Sequence, residues 1–304
     1  MSGATAVSVV LPTHNRSALL RRSIRSVLCQ SYADFELLVV DDASDDDTRE
    51  VVESFSDERI RYIRLDSNVG GGAARTAGVS QARASILAFQ DNDDQWLPQK
   101  LERCMQVLGD DPSLTGVFSA FWQIEDGSER RMPVSVPRGE EMAGAILHGN
   151  FIDTPTSVIR RDAFERAGGF DPRMPRYQDW ELFIRLLKCG PFAYIEEPLV
   201  LSHVTPGSIS SSDSAHGLAL EIMYEKHVAE IARDDRLHAN WLANLGDSQM
   251  RAGRVEAGRR NLLRSWRLRP FRPGIAVRWL TALVGGQMPY VLLSRYVERC
   301  RRGR

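Results

Sequence analysis

Apolar and polar positions over the first ninety residues alternate between two periods. Val7 to Leu11 is a short β-branched run, and in the stretch after it Leu20, Ile24, Val27 and Leu28 fall on one face of a helix. Phe35 to Val40, Ile60 to Leu65 and Ser85 to Phe89 are further strand-like runs, while Ala73 to Gln81 reads as helix. This alternation predicts an α/β fold on a mostly parallel, doubly wound, Rossmann-like sheet. Ligands of such sheets sit beyond the carboxyl ends of the strands. Pro12 to Asn15, Asp41 to Ser44 and Asp91 to Asp94 occupy those ends, so three polar turns should meet at one edge.

After Trp96 the alternation becomes less regular. Leu114 to Ile124 reads as strand, Glu140 to His148 as helix, and Phe151 to Ser157 as a polar loop carrying Thr154 and Thr156. Trp180, Phe183, Ile184 and Leu187 then recur at helical spacing behind Gln178 and Asp179, and Phe192 to Ile195 is strand-like. Ser208 to Ser214 is poor in apolar residues and marks a boundary. From Leu218 the pattern is helical, and Leu245-Gly246, Gly258, Leu262, Ser265 and Pro270 resemble one tetratricopeptide unit. A single unit is not an array, so it is expected to pack on the rest of the chain or on a partner subunit, as in a homodimer. Trp279 to Leu293 is apolar but holds Gly285, Gly286 and Pro289 and is shorter than the roughly 20 residues of a membrane span, which predicts a core or interfacial segment.

With 304 residues the chain exceeds one typical domain, and 43% apolar residues allow a sizeable core. Cys29, Cys104, Cys189 and Cys300 form no CxxC pair, which argues against a zinc site or a disulfide framework and for a reducing compartment. Residues Met1 to Val7 are small and uncharged and do not read as an export signal, so a cytoplasmic location is expected. The net charge of −1 conceals an asymmetry: from Arg251 onward fourteen arginines face only Glu256 and Glu298. That tail is +12 and the remainder −13. With Trp266, Phe271, Trp279 and Tyr290 interleaved, it suits an anionic membrane surface, as in a peripheral protein at the inner face. A nucleic-acid partner is disfavoured, because an acidic body repels phosphate backbones and no recognised nucleic-acid motif is present.

The chemistry concentrates at Gln90 to Trp96, where Asp91, Asp93 and Asp94 follow the apolar run Ile86 to Phe89. Oxygen donors at a strand end suit a hard divalent ion, Mg²⁺ or Mn²⁺, whose open positions nucleotide phosphates can fill. Five motifs in register carry a wider likeness: Val9 to Arg16, Val39 to Ser44 with Thr48, Asn68 to Gly78, Asp91 to Asp94, and Gln178 to Glu181. Together they resemble family 2 glycosyltransferases over residues 7 to 212. The resemblance implies a GT-A fold over residues 1–215, with a nucleotide-binding half 1–95 and an acceptor half 96–215, ahead of a helical, arginine-rich region 216–304. It also implies a nucleotide-diphosphate-sugar donor, UDP-sugar foremost and dTDP-sugar as the alternative, a divalent metal, inversion at the anomeric carbon, and a lipid-linked or glycan acceptor in cell-surface polysaccharide synthesis.

Carried over residue by residue, Asp42 looks like the base-recognition carboxylate, with Asp41 supporting it. Pro12, Thr13, Asn15 and Asn92 lie where the family contacts the donor nucleotide, and Arg16 and Arg75 are candidates for the diphosphate, since a guanidinium matches phosphate with forked donors. Asp93 matches the principal metal ligand, with Asp91 as a water-mediated or ribose contact. Asp94 also reads as a cap for the helix expected near Pro98. Asp179 matches the general base that deprotonates the acceptor hydroxyl, and its place also suits a helix N-terminus. Trp180 and Glu181 read as packing and capping. Where many relatives carry Arg and then His before a Gly-Ser-x-Ser segment, this chain has His203 and Thr205, so a third metal ligand rests on His203 substituting. A non-catalytic nucleotide-sugar-binding or scaffold protein on the same fold is the alternative.

Overall fold

The computed structural model describes residues 5–133, 135–139, 141–205, 213–270, 273–284 and 290–291, which cluster into two compact units. The first unit comprises residues 1–172 and 178–208. Its centre is β1 (Val7–Thr13), flanked by β2 (Phe35–Asp41) and β4 (Ile86–Phe89), with β3 (Ile60–Arg64) outside β2, all four parallel. Every residue of β1, β2 and β4 is buried, which is why these strands read as continuous apolar runs rather than alternating ones. Helix α1 (Ser17–Leu28) buries Leu20, Ile24 and Val27 in the shared core. α2 (Thr48–Glu53) follows β2, and α3 (Gly71–Gln81) follows β3. α3 lies close on the sheet, because a Cβ at Gly78 would stand 2.5 Å from Val10 Cγ1 and 2.9 Å from Val40 Cγ2.

Beyond β4 the sheet is mixed. β8 (Ser157–Arg160) runs antiparallel to β4, β6 (Gly116–Glu125) antiparallel to β8, and β9 (Phe192–His203) parallel to β6. The order is β3-β2-β1-β4-β8-β6-β9-β5, with β5 (Gln95–Trp96) on β9 and β7 (Ser128–Met132) paired with β6. The first half is therefore wholly parallel, and the second half is mixed, with β6 and β9 as its parallel pair. Three short elements depart from the sequence reading. Gln95 and Trp96 form a strand, Ser157 opens β8 instead of ending a loop, and β9 runs eight residues past Ile195 to His203. The run Glu196-Glu197-Pro198 hides that extension, and the sheet absorbs it through register shifts between β6 and β9 around Ala120. α4 (Lys100–Asp110), α5 (Glu141–Ala145), α6 (Arg161–Ala167), α7 (Gln178–Cys189) and 3₁₀ turns at Ile146–His148 and Thr154–Thr156 complete the unit.

The second unit comprises residues 173–177 and 209–304. Its helices are α8 (Asp213–Ile231), α9 (Asp235–Arg251), α10 (Val255–Leu268) and α11 (Pro273–Val284). Residues 208–212 of the expected boundary lie outside the described residues, as do Gly285, Gly286 and Pro289. Asp234 caps α9 by accepting from Leu237 N at 2.7 Å. The small residues singled out in the sequence bring α9 and α10 together: a Cβ at Gly258 would stand 2.9 Å from Gly246 O, and one at Gly246 3.0 Å from Gly258 O. Trp266 of α10 stacks on Trp279 of α11, ring centroids 4.7 Å apart and planes 9° from parallel. No helix among the described residues is long and apolar enough to cross a membrane.

A Cβ at Gly258 would meet the backbone Gly246 O at 2.9 Å as well as Met250 Cγ and Sδ at 2.7 and 2.8 Å, and the methionine can shift but the carbonyl cannot without moving α9. Gly258→Ala should therefore destabilise the protein by about 1–3 kcal/mol, read as a lower urea midpoint by circular dichroism. An unchanged midpoint would show that the two helices can separate at little cost.

Candidate active site

The first two polar turns are laced into one floor. Asp42 N donates to Thr13 O at 2.8 Å, and His14 Nδ1 donates to Asp42 O at 2.8 Å. Asn15 adopts a positive φ of 50°, which Asn tolerates better than most residues; its N–H donates to Ser44 Oγ at 2.9 Å and its Oδ1 accepts from Asp45 N at 2.8 Å. Asp41 is fully buried and accepts from Ser44 N, Tyr62 Oη and Arg64, so it anchors the turn. Burial, and then the carboxylate it faces, pushes the Tyr62 phenol up to about 12. Asp42 is also buried, and its two oxygens accept from Val69 N and Gly70 N at 2.7 and 2.8 Å, tying β2 to the start of α3.

The third turn stands against this floor. Asn92 Nδ2 donates to Thr13 Oγ1 at 3.2 Å, and Ser23 Oγ donates to Asp91 O at 2.8 Å. Asp93 accepts from Arg16 at 2.7 Å and from Thr205 Oγ1 at 2.8 Å, while Arg75 pairs with Asp91. Arg22 donates to Asp93 O. The Nε atoms of Arg22 and Arg75 are buried with no hydrogen-bond partner. Each guanidinium thus keeps one N–H with no protein acceptor beside the third turn, although buried donors are nearly always satisfied.

Asp94 does not cap the following helix, whose preceding residue, Gln99, supplies no side-chain cap either. Its buried carboxylate instead accepts from His203 N at 3.0 Å, tying β9 to the turn, and burial followed by the charges of Asp91 and Asp93 holds its pKa well above the carboxylate range. His203 Nε2 donates to Gln95 Oε1 at 3.1 Å. Burial and the nearby Arg22 lower the His203 pKa, with Asp93 acting in the opposite sense. Among the described residues no group of three or more His, Cys, Asp or Glu is placed to hold a metal ion, so His203 is not brought into a ligand set with Asp91 and Asp93.

On the acceptor side, Asp179 lies in the first turn of α7, and its Oδ2 accepts from Asn150 Nδ2 at 2.9 Å. Burial raises the Asp179 pKa and the charge of Asp91 adds to the rise, while the Trp180 N–H and Arg75 oppose it. Asp153 is pushed up to about 7 by burial and by the charges of Asp179 and Asp91. Trp180 donates to Ile146 O at 2.6 Å, and the fully buried Glu181 pairs with Arg185 at 2.5 Å.

Residues 8–168 match the family model described as Glycosyl transferase family 2. The chain belongs to glycosyl transferase family 2. It is a glycosyltransferase with a GT-A fold. The amylovoran biosynthesis glycosyltransferase AmsB of Erwinia amylovora is 33% identical over 210 residues, 65% of this chain and 69% of AmsB. The UDP-Glc:alpha-D-GlcNAc-diphosphoundecaprenol beta-1,3-glucosyltransferase WfgD of Escherichia coli is 43% identical over 102 residues, 34% of this chain and 40% of WfgD. Among solved structures, S. aureus TarS 1-349 in complex with UDP-GlcNAc superimposes with a TM-score of 0.73 over 98% of this chain and 92% of its own, at 16% identity, a likeness of fold.

The structure of this transferase adds residues that its sequence did not announce. Asp153 sits in the loop read only as polar and Asn150 just before it, and Arg22 lies on the helix read only for its apolar face. No periodicity or spacing could mark them, since Asn150 acquires its role from Asp179, 29 positions away, and Arg22 from Asp93, 71 positions away. The Asp179 cluster makes opposite predictions for two substitutions. Asn150→Ala removes a donor that favours the ionised carboxylate, so the Asp179 pKa should rise and the acid limb of kcat/KM move to higher pH, with kcat down roughly tenfold. Asp91→Asn removes the neighbouring negative charge that raises the Asp179 pKa, so the same limb should move to lower pH. Shifts of the same sign in both variants would contradict the assignment.

Proposed function

We propose that this glycosyltransferase moves a sugar from a UDP-sugar to a hydroxyl of a lipid-linked or glycan acceptor in cell-surface polysaccharide synthesis, with inversion and with Asp179 as general base. The observation that carries the donor reading is the pair of orphaned guanidinium N–H groups of Arg22 and Arg75 at the carboxyl ends of β1 and β4, where a diphosphate would supply the missing acceptors. The printed names of WfgD and AmsB support the UDP-sugar, the lipid-linked acceptor and the polysaccharide product.

The donor set of the third turn fits a hard cation. Asp91 and Asp93 offer carboxylate oxygens two residues apart, and one or two carboxylates completed by substrate phosphates are how Mg²⁺ or Mn²⁺ is commonly held. In that reading Asp93 is the main ligand, Asp91 the second, and His203 stays on Gln95. The ion, when bound, offsets the charge that grows on the leaving nucleoside diphosphate.

The chain's own residues account for the remaining steps. Asp42, fixed by Val69 N and Gly70 N, keeps a further lone pair on each oxygen with which to accept from the N–H of a uracil-type base. Thr13, Asn15 and Asn92 shape the floor under the nucleotide, and Pro12 carries the buried strand into it. As the diphosphate enters, Arg16 and Arg75 exchange Asp93 and Asp91 for phosphate oxygens. Asn150 aims Asp179, which takes the proton of the acceptor hydroxyl as that oxygen attacks the anomeric carbon from the face opposite the leaving group.

A scaffold that binds nucleotide-sugar without turnover is the second reading, favoured by the closure of Arg16 and Arg75 over the two carboxylates. Transfer from a panel of nucleotide-sugars separates the two. Asp179→Asn should lower kcat by about 10²–10⁴ while leaving donor binding intact. Turnover unchanged in Asp179→Asn would overturn the assignment of the base, and donor binding without turnover in the wild type would favour the scaffold.

A further inference from the structure

Of the six large apolar side chains most exposed among the described residues, three lie on α11: Val277 at 45%, Leu280 at 53% and Leu283 at 47%. Spaced three apart, they form one stripe along the helix. The other side of α11 is already used, since Trp279 stacks on Trp266 and Ala282 is buried with Met250, Leu262 and Tyr290. Arg259 of α10 donates to Ala282 O at 2.8 Å, which fixes the helix further. The stripe is thus a second apolar face on a helix whose first face is packed.

The chain that carries the stripe is strongly basic. Between Ala257 and Val284 the sequence holds seven arginines and no Asp or Glu. Arg260, Arg264, Arg267 and Arg269 on and just after α10 are exposed. One carboxylate stands near the end of the stripe, Glu256, and it is paired with Arg259, whose guanidinium also reaches Leu283 O. A second protein surface could accept the apolar stripe, but a strong excess of arginine beside Leu and Val side chains matches the interface of an anionic bilayer in both respects. Acyl chains take the stripe, and headgroup phosphates take the guanidiniums.

We infer that the Val277, Leu280 and Leu283 face of α11 docks this transferase on an anionic lipid surface, with the arginines of α10 as its electrostatic rim. This goes beyond the reading of the donor and base: it needs neither nucleotide nor turnover.

The test is co-sedimentation of the full chain with phosphatidylglycerol-containing vesicles and with pure phosphatidylcholine vesicles, without nucleotide. The wild type should pellet with the anionic vesicles, less so in high salt, and stay in solution with the neutral ones. Leu280→Ser with Leu283→Ser should lower the partition coefficient roughly a hundredfold, as expected for two leucines no longer buried in lipid. Arg260→Glu with Arg267→Glu should lower it by roughly tenfold or more. Both variants should keep the wild-type circular dichroism and donor turnover, because the altered side chains lie on exposed surface. Equal partitioning of wild type and variants would overturn the inference. So would conversion of a dimer to a monomer by the leucine substitutions with vesicle binding unchanged, which would make the stripe a subunit contact. A wild-type chain that partitions as expected but shows no turnover with UDP-sugars would count against the proposed donor and base alone.

Discussion

The site depends on gathering like charges without letting them repel the turn apart. Asp91, Asp93, Asp94, Asp153 and Asp179 come from three segments, and in the free protein their negative charge is met by Arg16 and Arg75 and by hydrogen-bond donors such as Asn150 and Thr205. Where such compensation is thin, protons supply it. Asp94 and Asp153 hold theirs well above the carboxylate range, each chiefly through burial and then through neighbouring carboxylates. A closed ring of this kind is stable only while the guanidiniums stay on the aspartates, and an incoming anion or cation alters that balance. In the proposed reading, the pairs that make this arrangement self-consistent are the pairs that donor binding rearranges.

The scaffold beneath is arranged so that this rearrangement costs little backbone movement. The chain emerging from β1, β2 and β4 is tied together at Thr13, Asn15, Asp41, Asp42 and Asn92 by hydrogen bonds that do not involve Arg16 or Arg75. Asp94 performs the corresponding service for β9. The partners of Asp91 and Asp93 are long side chains from just before α1 and from α3, while the groups that tie the turns together are short and held from the backbone. That division is the one the proposed phosphate recognition calls for, a rigid floor beneath forked guanidinium donors.

Much of this was legible in the sequence because it lies where local pattern decides structure. The parallel strands announced themselves as continuous apolar runs, and the turns that follow them had to converge once the sheet was parallel. Two local signals misled or fell silent for physical reasons. Asp94 has the composition of a helix cap, yet a distant backbone N–H on β9 competes for it and wins. Glu196-Glu197-Pro198 looks like the end of a strand, yet the pairing with β6 tolerates a shift and carries β9 on to His203. Asn150, Asp153 and Arg22 gave no signal because their roles come from long-range packing. In the helical unit, Gly246 and Gly258 were readable as close-packing positions, whereas the exposed stripe on α11 needed the structure to show which face Trp279 and Ala282 already occupied.

The central claim is that a diphosphate and a cation together replace the pairs Arg75–Asp91 and Arg16–Asp93. Calorimetric titration of UDP into the wild-type chain, with and without Mn²⁺, tests it most directly. The account predicts that Mn²⁺ tightens UDP binding by at least about tenfold, or roughly 1.4 kcal/mol of coupling, and that Asp93→Ala abolishes the gain. UDP affinity that is the same with and without Mn²⁺, or no UDP binding at all, would contradict it.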